Sequence, residues 1–176
     1  MKLNGKHIAI FVADLFEDLE FWYPKIRMQE EGAQVVAIGP QQTSYTGKHG
    51  MPATADKGID DVSPDAFDAL IIPGGYSPDH MRRHDKMIEF VRTIHEQDKP
   101  VAAICHAGWM LASADILGGV RVTSFFSIKH DMQHAGATWV DEEVVVDQKI
   151  ITSRNPGDLP VFCQTIIETV ASQEGG

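Results

Sequence analysis

Val101-Ala102-Ala103-Ile104-Cys105-His106-Ala107-Gly108 runs an apolar, strand-like segment straight into a cysteine, a histidine and two small residues that open a helix-like stretch. That order places a thiol on a sharp strand-to-helix turn, which projects a side chain above the edge of a sheet, and Ala103 and Ala107 leave room for the turn to be tight. A thiol there meets the partial positive charge and unpaired N–H groups of a helix start, so its thiolate is favoured and it can act as a nucleophile. The same residue also reads as a small buried hydrophobe, as most free cysteines are. The local pattern leaves both readings open.

Outward from this segment, the chain alternates short apolar runs with helix-like ones. Lys6 to Val12, Gln34 to Ile38, Ala69 to Ile72 and Val101 to Ile104 read as buried strands. Glu20 to Glu31, Asp85 to Gln97, His106 to Leu117, Ser127 to Ala135 and Leu159 to Ser172 read as helices, several stopped by glycine. Thr43 to Asp56 is polar and Gly-rich and predicts a small hairpin or extended excursion. Ser63-Pro64-Asp65 predicts a brief helical turn. Arg121–Thr123, Thr138–Val140, Val144–Val146 and Ile150–Thr152 read as short strands. Alternation of this kind predicts an α/β fold, a mostly parallel sheet with helices on both faces. Residues 1–172 are expected to form a single domain and 173–176 a frayed tail.

In such sheets the working residues gather on loops after the carboxyl ends of the strands. Three loops qualify here: Asp14–Asp18, Pro73–Tyr76 and Cys105-His106. Glu17 is the acid expected beside the thiol, with Asp18 and Glu20 complementing a helix dipole. If partly buried, the Glu17 carboxyl would stay protonated and donate to a thiolate. Gly74 and Gly75 leave the backbone bare, so a substrate oxygen could approach N–H groups, though glycines also simply end strands. His106 could serve as base or acid, or as a packing histidine at a helix start.

Composition narrows the partners. With 25 acidic and 15 basic residues the formal net charge is −10, which argues against nucleic acid or an anionic membrane. No apolar run is long enough to span a bilayer, and the N-terminal stretch is too polar for a signal peptide. Two cysteines, Cys105 and Cys163, make no disulfide framework, so a reducing cytoplasm is the expected setting. Cys163 sits in the apolar Leu159-Pro-Val-Phe-Cys stretch and is expected to be inert packing. His80 with His84 and His130 with His134 have one-face helical spacing, but neither pair carries the rest of a zinc signature, so no metal is expected. No phosphate-loop or dinucleotide fingerprint is present, and no cofactor is expected.

The chain resembles the PfpI branch of the ThiJ/PfpI superfamily. The resemblance is carried by Phe16-Glu17-Asp18-Leu19-Glu20, Thr46-Gly47-Lys48-His49-Gly50, Phe67 to Gly75, Ala103-Ile104-Cys105-His106, Ile128 to Met132 with Ala135-Gly136-Ala137, and Glu143 to Asp147 with Thr152-Ser153-Arg154. It implies a flavodoxin-like three-layer sandwich and a cofactor-independent enzyme with Cys105 as nucleophile. Glu17 would be the carboxyl hydrogen-bonded to the thiol, His106 the neighbouring base or acid, and the Gly75 and His106 amides the oxyanion hole. Gly74, Trp109 and Phe125 would line the substrate pocket. Asp79 occupies the place of an acid that some members lend to an adjacent subunit, which implies a homo-oligomer, a dimer or hexamer. Members have been described as intracellular proteases, glyoxalases, deglycases and redox-responsive stress proteins. The implied substrate is a small molecule or a peptide or protein adduct. Two departures bear on substrate range: Ala107-Gly108-Trp109 follows the Cys-His pair where many relatives have Gly-Pro, and Phe125 stands where many have Tyr.

Overall fold

The apolar runs of the sequence become the centre of one sheet. A computed structural model describes residues 1–173. In chain order the strands are β1 (His7–Phe11), β2 (Gln34–Gly39), β3 (Ser44–Thr46), β4 (Pro52–Thr54), β5 (Lys57–Gly58), β6 (Ala69–Ile72), β7 (Val101–Ile104), β8 (Arg121–Val122), β9 (Thr138–Trp139), β10 (Val145–Asp147) and β11 (Ile150–Ser153). The helices are α1 (Asp18–Glu30), α2 (Ser77–Met81), α3 (Asp85–Glu96), α4 (Gly108–Ser113), α5 (Lys129–His134) and α6 (Leu159–Ala171). Seven strands form the main sheet in the order β10-β11-β7-β6-β1-β2-β5, parallel throughout except for the β10–β11 hairpin at one edge. The two central residues of that hairpin, Gln148 and Lys149, both take positive φ, the backbone twist a two-residue turn needs.

Strand side chains alternate between faces, and here both faces are buried. Ala9, Phe11, Leu70, Ile72, Val101 and Ala103 point to one side, where they meet Phe90, Val91 and Ile94 of α3 and Met110 and Leu111 of α4. Ile8, Ile10, Ile71, Ala102, Ile104 and Ile151 point to the other, against Phe21 and Met28 of α1 and Phe162, Ile166 and Val170 of α6. The result is a three-layer α/β sandwich. In α3 the buried residues Met87, Phe90, Val91 and Ile94 recur at helical spacing.

Some elements differ from the sequence reading. The helix expected over His106–Leu117 is a 3₁₀ turn at Cys105–Ala107 followed by α4, which has six residues and gives way to Asp115 at a φ of 58°. The stretch expected as a helix from Ser127 splits into a 3₁₀ turn at Phe126–Ile128 and α5, closed by Gly136 at a φ of 95°. Strands β8 and β9 leave the main sheet and pair with each other. The Gly-rich excursion does form a hairpin, β3 against β4. Helix α2 has no counterpart in the sequence reading; Pro78 falls in its first turn, where the missing N–H costs nothing. Of the expected frayed tail, Gln173 still donates its N–H to the Val170 carbonyl, and 174–176 lie outside the described residues.

Candidate active site

Three loops meet above the carboxyl ends of β1, β6 and β7. Tyr76 N–H donates to the Leu15 carbonyl at 2.9 Å, Glu17 N–H donates to the Gly74 carbonyl at 3.2 Å, and Phe16 and Gly75 form an isolated bridge. Gly75 has a φ of 73°, and a Cβ there would lie 2.4 Å from the Glu17 nitrogen, so only glycine lets these loops approach. The third loop carries Cys105, itself at a φ of 62°. A non-glycine residue in that region is strained, and the surrounding packing must hold it there. The strain aims the thiol upward into a cavity of about 300 Å³ lined by Glu17, Lys48, Gly75, Tyr76, Cys105, His106, Trp109, Phe125 and Pro156.

The backbone N–H groups of Gly75 and His106 are directed at the Cys105 sulfur. The His106 Nδ1 lies 3.2 Å from Sγ, and its Nε2 lies 3.2 Å from the Ser127 hydroxyl. Its ring is stacked on Phe125, centroids 4.9 Å apart, and edge-on to Trp109 at 5.0 Å. Trp109 in turn donates to Asp131 and lies under the Arg82 guanidinium. Burial and the Lys48 charge lower the His106 pKa below its ordinary value, which keeps the ring neutral and able to take a proton near pH 7.

The acids are placed differently from expectation. Glu20, not Glu17, stands behind the thiol. Its Oε2 accepts the Gly74 N–H at 2.8 Å, its Oε1 is buried with no hydrogen-bond partner among the described residues, and the Cys105 thiol is the neighbouring side-chain group whose hydrogen bond favours its charge. The residue is fully buried, and burial lifts its pKa to about 8, so it carries a proton at neutral pH. Glu17 lines the cavity mouth instead, where its Oε2 pairs with the Lys48 ammonium at 2.8 Å and its Oε1 with His49 at 3.3 Å. Asp18 does not merely complement the dipole: its carboxylate accepts the N–H groups of His49 and Met51. Glu17, Asp18 and His49 present their ligand atoms within 4.8 Å of one another, and Glu17 already holds the Lys48 ammonium while Asp18 is taken up by two backbone N–H groups.

Two further expectations shift, for Gly74 and for the Cys105 thiol. Gly74 lies beneath the cavity rather than in its lining: a Cβ there would come within 2.7 Å of the Cys105 Cβ. Asp79, expected to serve an adjacent subunit, sits on α2, bonded to Arg83 at 2.6 Å and near Arg82; the Arg83 contact holds it below the usual carboxylate range. The Cys105 thiol is not lowered by its turn. Burial, then the charge on Glu20, push it up to about 12, and the Gly75 and His106 amides and Lys48 act the other way. A protonated Glu20 removes the second cause and leaves a donor beside the sulfur. Sequence reasoning missed Ser127 and Lys48, which reach the site from distant segments. Glu20 could have been found, since it shares the buried face of α1 with Phe21, Pro24 and Met28.

A cysteine on a strained elbow, with a histidine next to it and an acid from the first βα unit beneath it, defines a class of α/β proteins that gather one buried thiol and several polar groups at the carboxyl ends of the strands. The chain belongs to the DJ-1/PfpI family, which it matches over residues 6–169. It is 43% identical over 161 residues to Protein/nucleic acid deglycase 2 of Escherichia coli, covering 90% of this chain and 94% of that protein. It is 42% identical over 161 residues to Deglycase PfpI of Pyrococcus furiosus, covering 92% and 97%. A solved two-domain protein from Anabaena variabilis, with DJ-1/ThiJ/PfpI-like and ferritin-like domains, superposes with a TM-score of 0.92 at 37% identity, covering 97% of this chain and 52% of that one.

Proposed function

We propose that this chain is a cofactor-independent cysteine enzyme that processes small reactive carbonyls and their adducts on amines and thiols, in the manner its deglycase relatives' names describe. The observation that carries this reading is the Cys105 sulfur at the floor of a cavity of about 300 Å³, with His106 Nδ1 at 3.2 Å and two backbone N–H groups aimed at it. A cavity of that size suits a compact carbonyl better than a strand of a folded protein.

For an α-oxoaldehyde the steps balance as follows. As the sulfur attacks the aldehyde carbon, the thiol proton passes to His106 and on to the new alkoxide, giving a hemithioacetal. The Gly75 and His106 amides stabilise the oxygen while it is negative. His106, neutral again, takes the proton from that carbon and returns it to the adjacent one, while the hemithioacetal hydroxyl proton passes to the neighbouring ketone oxygen, leaving a 2-hydroxy thioester. Water cleaves the carbon–sulfur bond, releasing the 2-hydroxy acid and the thiol. An amine or thiol adduct enters the same path once it releases its carbonyl. Glu20 holds a proton beneath the sulfur throughout. The net charge of −10 disfavours a nucleic-acid polyanion, so small-molecule and protein adducts are the substrates proposed.

A cytoplasmic stress-protection role and a homo-oligomer, with Asp79 offered to a neighbouring subunit, complete the reading. The test is lactate formation from methylglyoxal without glutathione, by the wild type and by Cys105→Ala with its fold checked by circular dichroism. Turnover lost in the variant supports the enzyme. No turnover in a folded, reduced wild type moves the assignment to peptide hydrolysis or to a redox-responsive thiol, a role the same buried Cys105–Glu20 pair would serve.

A further inference from the structure

Two neighbouring acids at the start of α1 build one feature that the reaction above leaves unused. The β3–β4 loop, residues 47–51, folds over the site and is pinned there. Asp18, 3% exposed, accepts its two amides from His49 and Met51. Lys48 N–H donates to the Phe16 carbonyl at 2.9 Å, and Gly47 packs so closely that a Cβ would lie 2.6 Å from the Asp18 carboxylate. The pinned loop carries Lys48, whose Nζ is drawn to Glu17 at 2.8 Å on the wall of the Cys105 cavity. Lys48 is the one lysine or arginine lining that cavity among the described residues. Glu17 faces the cavity with 10% of its side chain exposed, so it works as an anchor, while the Lys48 side chain is 45% exposed.

We propose that Lys48, tethered by Glu17, is a positioning residue that supplies the counter-charge for negative charge developing at the Cys105 sulfur and at the oxygen of the carbonyl it attacks. The groups facing the sulfur are Glu20 from α1 beneath it, His106 from its own turn beside it, and the Lys48–Glu17 pair at the mouth. Glu20 is held protonated and His106 neutral, so Lys48 is the cation in this set. Its hydrogen bond to Glu17 raises its own pKa and keeps it charged through the neutral range. Its charge favours the Cys105 thiolate against the burial that opposes it, and it disfavours protonation of His106, so it biases both partners toward their reactive forms.

The inference rests on Cys105 being the reactive thiol, so its test reads the thiol without any carbonyl substrate. The rate of Cys105 alkylation by iodoacetamide is followed against pH, with the Cys105 peptide quantified by mass spectrometry. Lys48→Met and Lys48→Gln are expected to move the midpoint upward and to slow alkylation at pH 7 by about threefold to tenfold. Lys48→Arg stays within about twofold of wild type, because the charge remains. Glu17→Gln moves the midpoint downward, since an amide oxygen still accepts from the ammonium but no longer cancels its charge. A loop that merely packs would not give opposite signs for the two partners. Superimposable wild-type and Lys48→Met profiles, or an arginine variant that behaves like methionine, would overturn the proposal. Lactate formation absent alongside shifted alkylation profiles would sink the glyoxalase reading and leave this one standing.

Discussion

Cys105 and Cys163 are both buried, at 8% and 1% exposure, and burial pushes both thiols up to about 12. By that measure they are alike. Their surroundings are not. Cys163 lies within α6, packed on the sheet face shared with α1, and only the distant Arg27 charge offsets its burial. Cys105 sits at a φ of 62° with two amides, a histidine and a protonated acid around its sulfur. Similar resting pKa values in such different surroundings predict unequal reactivity, because only Cys105 has polar groups placed to meet the charge that develops on its sulfur.

The comparison breaks most sharply in turnover. Cys105→Ala is expected to lower lactate formation from methylglyoxal by on the order of a thousandfold or more, since the covalent path is gone. Equal losses in the Cys105 and Cys163 variants would mean that fold, not position, sets activity.

Glu20 sharpens it next. The carboxyl's pKa is raised from 4.5 to about 8 in the folded chain. The unfolded chain therefore loses this proton first as pH rises, and the folded state loses stability from about pH 4.5 to pH 8. Between pH 5 and 7.5 that loss is about 3 kcal/mol. Glu20→Gln, neutral at every pH, should flatten this slope in urea titrations. A variant as pH-dependent as wild type would show that the acid is not held protonated.

His106→Ala is expected to cost about a hundredfold in turnover, the usual worth of a positioned general base. Because burial lowers this imidazole's pKa, the acidic limb of the wild-type activity profile should fall below the ordinary histidine value and vanish in the variant. Full turnover without His106 would remove it from the proton path.

Much of this arrangement was legible before any coordinates. The buried strands β1, β2, β6 and β7 declare themselves as apolar runs, and α3 through Met87, Phe90, Val91 and Ile94. The loops that follow β1, β6 and β7 had to converge once those strands were parallel. What stayed hidden depended on helix phase or on distance. Glu17, Asp18 and Glu20 look interchangeable as acids at a helix start, yet one anchors a lysine, one pins a loop and one sits beneath a thiol. All three are buried, and what separates Glu20 is the phase it shares with Phe21, Pro24 and Met28, which leaves it with no exposure at all. Lys48 and Ser127 come from segments 57 and 22 residues away from Cys105 in sequence, and no local pattern announces such a meeting. The expected thiolate fails for a physical reason too: burial of the sulfur and the neighbouring Glu20 outweigh the two amides and Lys48, which favour its charge.

The smallest effect belongs to Cys163, and it completes the comparison. Its sulfur fills space beside Phe162 and Ile166 against the sheet. Cys163→Ala removes one buried atom and leaves a small void, so stability should fall by about 1 kcal/mol while turnover stays within about twofold. Reaction of the native wild type with iodoacetamide should label one cysteine per chain, and that one Cys105. Cys163 should react only after denaturant opens α6, because it is 1% exposed and the burial of its sulfur penalises the thiolate. Labelling of Cys163 in the native protein at a comparable rate would mean that α6 opens readily, and would weaken the contrast from which the role of Cys105 is drawn.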